Sequence, residues 1–346
     1  MNWTRSRLNN LFFIIGVAAC VVMLFTFDVS FVELWDHLCT AGYWLIPILG
    51  VWILIYGINA ASWWYVIKGV DPEARLSKWK IFKWTVSGYA LNYATPVGGL
   101  GGEPYRIMEL SQEVGKQQAT SSVVLYAMMH IFAHFWFWFT SIFLYLILAA
   151  AGDLPLNGAI TFVLGFIALL FFAAFYLFSK GYKNGIVVNV LKWIGKIPGL
   201  KRWSARTLER HDEALHNVDK QIAALFSQDK KAFYSSLLLE YVSRWAQSLE
   251  VLFMLLLFGV DNGGGIDGIM LTYLHSVLIV ALTTFFANLI GFLPMQIGVQ
   301  EGGFVLSIAA LGLSAALGIF VSIICRVREI VWIFIGILLI KVSNKG

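Results

Sequence analysis

The stretch that decides the fold is Asn92-Tyr93-Ala94-Thr95-Pro96-Val97-Gly98-Gly99-Leu100-Gly101-Gly102-Glu103-Pro104-Tyr105-Arg106, which breaks a long apolar segment in its middle. A second stretch, Gly291-Phe292-Leu293-Pro294-Met295-Gln296-Ile297-Gly298-Val299-Gln300-Glu301-Gly302-Gly303, breaks another. In each, Pro is followed seven residues later by Glu, with glycine between and a helical run after. Proline and glycine stop the incoming helix and let the backbone turn. Glu103 followed by Pro104 starts a new helix with proline at its first position, and Glu301 stands similarly before Gly302, Gly303 and Phe304. The turn residues are then Pro96, Gly98, Gly99 and Gly101 in one motif, and Pro294 and Gly298 in the other. Each new helix directs its free N–H groups and partial positive charge toward the membrane interior, where they can hold an anion. The plainer role for each Glu is to cap its own helix, and the two roles are compatible.

Composition sets the environment of these turns. Of 346 residues, 59% are apolar and 13% charged, against about 45–50% and about 25% in ordinary soluble domains. Such a chain belongs in a bilayer. A soluble secreted fold, wholesale disorder and nucleic-acid binding are excluded as main readings. Cys20, Cys39 and Cys325 are too few and too scattered for a disulfide framework or a zinc site.

Candidate spans cover roughly 8–27, 43–67, 79–110, 119–149, 158–179, 232–258, 268–314 and 315–341. The first follows Arg5 and Arg7 but is long for a signal sequence and lacks a small-residue cleavage site, so it is expected to remain as a helix. Lys and Arg orient the rest. The connections 28–42, 150–157 and 259–267 carry none, whereas 68–83 carries Lys68, Arg75, Lys78, Lys80 and Lys83, and 180–231 carries eleven. Threading the chain with the basic loops inside requires 79–110 to enter from the cytoplasm and turn back, and 268–314 to do so from the opposite side. Two full spans in each broken stretch would preserve the same sides, but 302–314 is only 13 residues, short of a bilayer about 30 Å thick.

The expected fold is therefore an all-α polytopic membrane protein: one membrane domain over 1–346, about six full spans, and two oppositely oriented re-entrant hairpins (79–110 and 268–314) forming an inverted repeat. Such repeats mark transporters with a midplane site. Both termini are expected in the cytoplasm. The connection 180–231 reads as an amphipathic cytoplasmic element, with an interfacial helix over 185–197 and a second helix over about 203–228. Trp63, Trp64, Trp79 and Trp84 are expected as interfacial anchors.

The paired motifs, PVGGLGGEPYR and FLPMQIGVQEGG with a membrane Arg beyond it, resemble the signature stretches of the lysylphosphatidylglycerol synthase transmembrane (flippase-like) family over roughly residues 10–340. The family pattern falls on Pro96, Gly99, Leu100, Gly101, Glu103 and Arg106, and on Pro294, Gly298, Glu301 and Arg326. Met295-Gln296-Ile297-Gly298 departs from the usual second motif. Tyr126, His130 and His134 stand where many members carry a Glu-Arg pair, and the soluble synthase domain is absent. The resemblance implies lipid translocation between leaflets of a bacterial cytoplasmic (inner) membrane, without aminoacyl transfer.

Ionised groups inside a bilayer cost about 2.5–3.5 kcal/mol each on insertion scales. Glu240 and Arg244 are four apart and Arg326 and Glu329 three apart, so each pair can neutralise itself on one helix face. Arginines facing a wet cavity would bind a lipid phosphate through their bidentate fork. Arg326 is the first candidate; Arg328 lies about 160° around the helix from it, so the two are not expected to serve the same narrow site, and one of them is expected to face a partner helix, the interface or a second cavity. His130 and His134 share a face, but Ile131 occupies the position that a zinc protease would fill with glutamate. Packing or hydrogen bonding within the bundle, among Phe132, Phe135 and Trp136, is their simplest role, with proton handling the alternative.

The candidate substrate-binding residues are thus Glu103, Arg106, Arg244, Glu301 and Arg326. The expected activity is flipping of an anionic or phosphate-bearing lipid: a phospholipid, an aminoacylated phospholipid or a polyprenyl-phosphate carrier. No enzyme activity, cofactor, metal or nucleic-acid partner is expected, and homo-oligomerisation is left open. Transport of a small soluble anion, or chemistry on a lipid headgroup, are the alternatives.

Overall fold

The computed structural model describes residues 39–94, 101–181, 201–227, 229–289 and 299–342, with isolated positions 14, 188, 192, 195 and 196. Among these residues the protein is all-helical. A short 3-10 turn, Gly42–Trp44, leads into α1 (Leu45–Val70), followed by α2 (Lys78–Ala94), α3 (Glu103–Val114), α4 (Lys116–Ala150) and α5 (Gly158–Gly181). The remainder is α6 (Lys201–Ser227), α7 (Lys230–Leu257), α8 (Gly265–Leu289), α9 (Val299–Ala310) and α10 (Ala315–Lys341).

Local chemistry places the boundaries. Pro104 stands in the first turn of α3, and Gly115, at φ 85°, ends that helix and begins α4. Only glycine adopts this left-handed conformation without a steric penalty. Asp229 caps α7 by accepting from the Lys231 N–H at 3.0 Å. Asn157 does the same for α5 through the Ile160 N–H at 3.0 Å.

Among the described residues, four helical segments are long and apolar enough to cross a membrane: Cys39–Val70, Lys116–Ala150, Gly158–Tyr176 and Gly265–Leu289. Helices α7 and α10 have the length as well, at 28 and 27 residues. They carry Glu240, Arg244, Glu250, Arg326, Arg328 and Glu329, all buried. The lipid-facing surface is apolar, with Phe162, Leu169, Phe172 and Phe175 of α5 and Ile53 and Leu54 of α1 exposed. This is a multi-pass membrane protein.

Helices approach closely where small residues allow it, as membrane packing requires. A Cβ on Gly336 would lie 2.5 Å from the Ala90 Cβ and 2.9 Å from the Val86 carbonyl oxygen, so α10 rides directly on α2. Ser87 donates to the Gly336 carbonyl at 2.8 Å across the same contact. Gly318 lets α10 meet Val305 of α9, and Gly303 brings α9 against Thr283 of α8. Helix α7 lies along α1, joined by the hydroxyls of Ser62 and Ser236 at 2.9 Å.

The two broken stretches differ in build. The first divides into α2 and α3, of 17 and 12 residues. The Asn92 side chain accepts from the Gly102 N–H, tying the end of one to the start of the other. The second divides into α8 and α9, of 25 and 12 residues. At about 1.5 Å per residue, α8 is long enough to cross the membrane, more than an arm turning back at the midplane needs; α9 is too short. The expected turn residues Pro96, Gly98, Gly99, Pro294 and Gly298 lie outside the described residues, and Gly101 sits in a bend before α3. The expected first span 8–27, apart from Ile14, and most of the expected interfacial helix 185–197 also lie outside them. The second amphipathic helix is present as α6.

Two aromatic expectations are corrected. Trp63 and Trp84 are fully buried rather than interfacial. Their rings stand 6.4 Å apart between α1 and α2, and Trp63 also packs on Tyr126 of α4 at 5.8 Å. Trp79 is exposed.

The glycine contacts carry a stability test. A Cβ on Gly102 would collide with the Gly88 backbone. Gly102→Ala and Gly336→Ala should each destabilise the detergent-solubilised protein by about 1–3 kcal/mol, visible as a lower thermal unfolding midpoint. Gly57→Ala, where a Cβ meets open space, should leave the midpoint unchanged.

Candidate functional site

The polar residues that the bilayer would penalise converge on one cavity of about 490 Å³. Glu103 and Arg106 of α3 reach it beside Tyr89 and Asn92 of α2, and Gln300 and Phe304 of α9 face it from the other motif. Helix α4 supplies Tyr126, His130 and His134; α7 supplies Arg244, Gln247 and Glu250; α8 supplies Thr283 and Thr284; α10 supplies Arg328 and Glu329. The two motifs, far apart in sequence, therefore wall one space.

On the α3 side, Arg106 donates to Glu103 at 2.9 Å. Its guanidinium lies over the rings of Tyr89 at 4.7 Å and Tyr126 at 5.4 Å, with Trp63 at 5.9 Å. Aromatic faces stabilise a desolvated cation, which accounts for burying Trp63. Arg106 Nε and Glu103 Oε2 are buried without a hydrogen-bond partner.

On the α10 side, Glu329 is the hub. It accepts from Arg326 Nη1 at 2.9 Å and from Gln300 Nε2 at 3.0 Å, and Arg328 Nη1 lies 3.8 Å away. Arg328 donates from Nε to Glu250 at 2.7 Å and lies over the Trp52 ring at 4.0 Å. Arg326 also donates from Nε to Glu301 at 2.7 Å.

Between these sides stands a histidine cluster. His130 Nδ1 is 2.8 Å from Glu240 Oε2 and 3.2 Å from the Tyr89 hydroxyl, which contacts the Tyr126 hydroxyl at 3.0 Å. Arg244 places Nη1 3.3 Å from His134 Nε2 and 3.3 Å from the Gln247 side-chain oxygen. Its nearest carboxylate, Glu240, is 3.6 Å away, against 2.9 Å for the nearest to Arg106 and 2.7 Å for the nearest to Arg328.

Of the residues expected to bind substrate, Glu103, Arg106 and Arg244 wall the cavity, whereas Glu301 and Arg326 do not. Those two pair with each other, and Arg326 also bonds to the cavity-wall residue Glu329. The expected pairs Glu240–Arg244 and Arg326–Glu329 form, at 3.6 Å and 2.9 Å. Arg326 and Arg328 are not separate in their partners, since both meet Glu329. Arg328 is the one at the cavity. Its partner Glu250 is 78 residues away in sequence, so no local spacing rule could reveal the pair. His130 and His134, read from the sequence as packed or hydrogen-bonded bundle histidines, bond to Glu240 and Arg244. The signal lay in their four-residue spacing, which repeats that of Glu240 and Arg244.

The cavity rim includes Ile131 and Asn288, both exposed. Ile131 lies near the middle of the 35-residue helix α4, so this side of the rim sits at the depth of the hydrocarbon core.

A family model described as the lysylphosphatidylglycerol synthase TM region matches residues 13–337. No significant match is found among curated proteins.

Removing one member of a buried ion pair strands the other, at a cost of about 3–5 kcal/mol. Arg328→Met should therefore lower the unfolding midpoint strongly. The double variant Arg328→Met/Glu250→Leu should recover most of the loss, as measured by thermal unfolding in detergent.

Proposed function

The chain belongs to the lysylphosphatidylglycerol synthase transmembrane family, and from that premise we propose that it moves an anionic or phosphate-bearing lipid between leaflets, as a transporter and not an enzyme. The observation that carries this reading is the shared cavity, which gathers charged side chains from α3, α7 and α10 and is bounded at mid-helix by the exposed Ile131. Its volume lies within the range of small-molecule sites. A headgroup could occupy it while the acyl chains stay in the bilayer. Family membership supports action on a membrane lipid.

The chemistry of passage follows from the ion pairs. An arginine fork suits a phosphate as well as a carboxylate. With the cavity empty of lipid, Glu103, Glu250 and Glu329 act as counter-ions for Arg106 and Arg328. An entering phosphate exchanges with a glutamate, so no guanidinium is left bare and the barrier to moving the headgroup falls. The basic connections, including Lys78 and Lys80, are assigned to the cytoplasmic face of a bacterial inner membrane, with both termini on that side.

Leaflet exchange of fluorescent phospholipid and polyprenyl-phosphate analogues in proteoliposomes tests the proposal. Wild type should exchange at least one of them. Ala127→Trp, which fills the cavity, and Glu103→Gln should slow exchange about tenfold or more at matched folded yield. Exchange unaffected by filling the cavity, or no exchange of any lipid by folded protein, would count against it.

A further inference from the structure

We propose that Arg244, His130 and His134 form a proton-linked phosphate subsite, in which binding of a phosphate group places one proton on His130. The inference rests on the lipid-transport reading for the identity of the phosphate carrier, but its geometry stands independently of transport.

The hydrogen bonds fix the neutral tautomers. His134 Nδ1 lies 3.0 Å from the His130 carbonyl oxygen, an acceptor, so Nδ1 carries the hydrogen and Nε2 offers its lone pair to Arg244 Nη1. His130 Nδ1 lies 2.8 Å from the Glu240 carboxylate, its shortest contact and an acceptor, so Nδ1 carries the hydrogen and Nε2 the lone pair; Arg244 Nη2 sits beside the ring, 3.1 Å from Nδ1 and 3.5 Å from Nε2. Arg244 is thus clamped at Nη1 by His134 and Gln247. Its Nε is buried with no hydrogen-bond partner. Of the arginines that wall the cavity, it has the weakest direct carboxylate contact.

A phosphate oxygen entering beside Nη2 meets the His130 Nε2 lone pair, and two acceptors repel. Proton uptake from water at Nε2 converts that contact into a donated hydrogen bond. The imidazolium then bridges Glu240 through Nδ1–H and the phosphate through Nε2–H; the Nε2–H bond is the one bond made, its proton given up by a buffer acid in the surrounding water. Charge balance favours the same step. The network sets Glu103, Glu240, Glu250, Glu301 and Glu329 against Arg106, Arg244, Arg326 and Arg328. With neutral imidazoles it holds one carboxylate more than guanidiniums, so an incoming anion calls for a compensating proton.

The other groups facing His130 are consistent with one proton and not two. They are Tyr56 of α1 through Tyr89, Tyr89 of α2, Tyr126 and His134 of α4 itself, and Arg106 and Glu103 of α3. Glu240, Arg244 and Glu250 face it from α7, and Arg328 and Glu329 across the cavity from α10; the polar lining groups of α8 are the Thr283 and Thr284 hydroxyls and the Asn288 amide, none of them titratable. His134 has no carboxylate among its hydrogen-bond and ion-pair contacts in the cluster, which leaves it neutral as a positioning residue for Arg244.

The test is calorimetric titration of the full chain in detergent with dihexanoyl phosphatidic acid and, separately, with inorganic phosphate. Each titration is run in two buffers of different ionisation enthalpy, at about pH 6 and about pH 8. Wild type should take up about one proton per bound phosphatidic acid and bind more tightly at the lower pH. His130→Gln should bind without uptake and about tenfold more weakly, and Arg244→Lys should lose about tenfold because the fork is gone. Wild-type binding without proton uptake, uptake retained in His130→Gln, or no binding of either probe would overturn the subsite. Proton-linked binding of inorganic phosphate as tight as that of the lipid would support the subsite and assign it to free phosphate, removing the flipping reading. Proton-linked lipid binding without leaflet exchange would likewise leave the subsite standing and remove the flipping reading alone.

Discussion

Everything in this molecule depends on how charge is kept inside an apolar slab. An ionised side chain there is costly by itself and tolerable only when paired or hydrated. Glu329 shows the solution in concentrated form. Arg326, Arg328 and Gln300 all turn to it, and through Arg326 and Arg328 it links to Glu301 and Glu250. Three helices, α7, α9 and α10, are thereby held in one arrangement around a polar space.

The broken helices make that space accessible. Short helices α3 and α9 bring polar residues to the cavity from two distant parts of the chain, and glycines at their contacts let the backbones close up. Aromatic rings add to the carboxylate pairs: Trp52 covers Arg328, and Tyr89 and Tyr126 flank Arg106. What remains between them is polar within and apolar at Ile131 on the rim, matching a ligand that is itself polar at one end and apolar at the other.

Much of this was legible in the sequence because its causes are local. Composition placed the chain in a bilayer, and hydropathy put a helix at 119–149 where α4 runs Lys116–Ala150. Spacing of three or four residues marked Glu240–Arg244 and Arg326–Glu329. The failures have a common physical origin in contacts between distant elements. Arg328–Glu250 has no local signature. Arg326 ranked ahead of Arg328 because of its motif position, yet helix rotation turns Arg328 to the cavity. Trp63 and Trp84 look like interface anchors by type, but a buried guanidinium and the α1–α2 contact draw them inside.

The central claim is that the two motifs share one hydrated cavity that takes a lipid headgroup. Cysteine accessibility tests it most directly. With Cys20, Cys39 and Cys325 replaced, Ala127→Cys on α4 and Ala287→Cys on α8, both on the cavity wall, should react with a charged, water-soluble thiosulfonate. Dihexanoyl phosphatidic acid should protect both together. Leu169→Cys, exposed to lipid halfway along α5, should not react. Failure of both cavity positions to label, or protection of one without the other, would contradict the account.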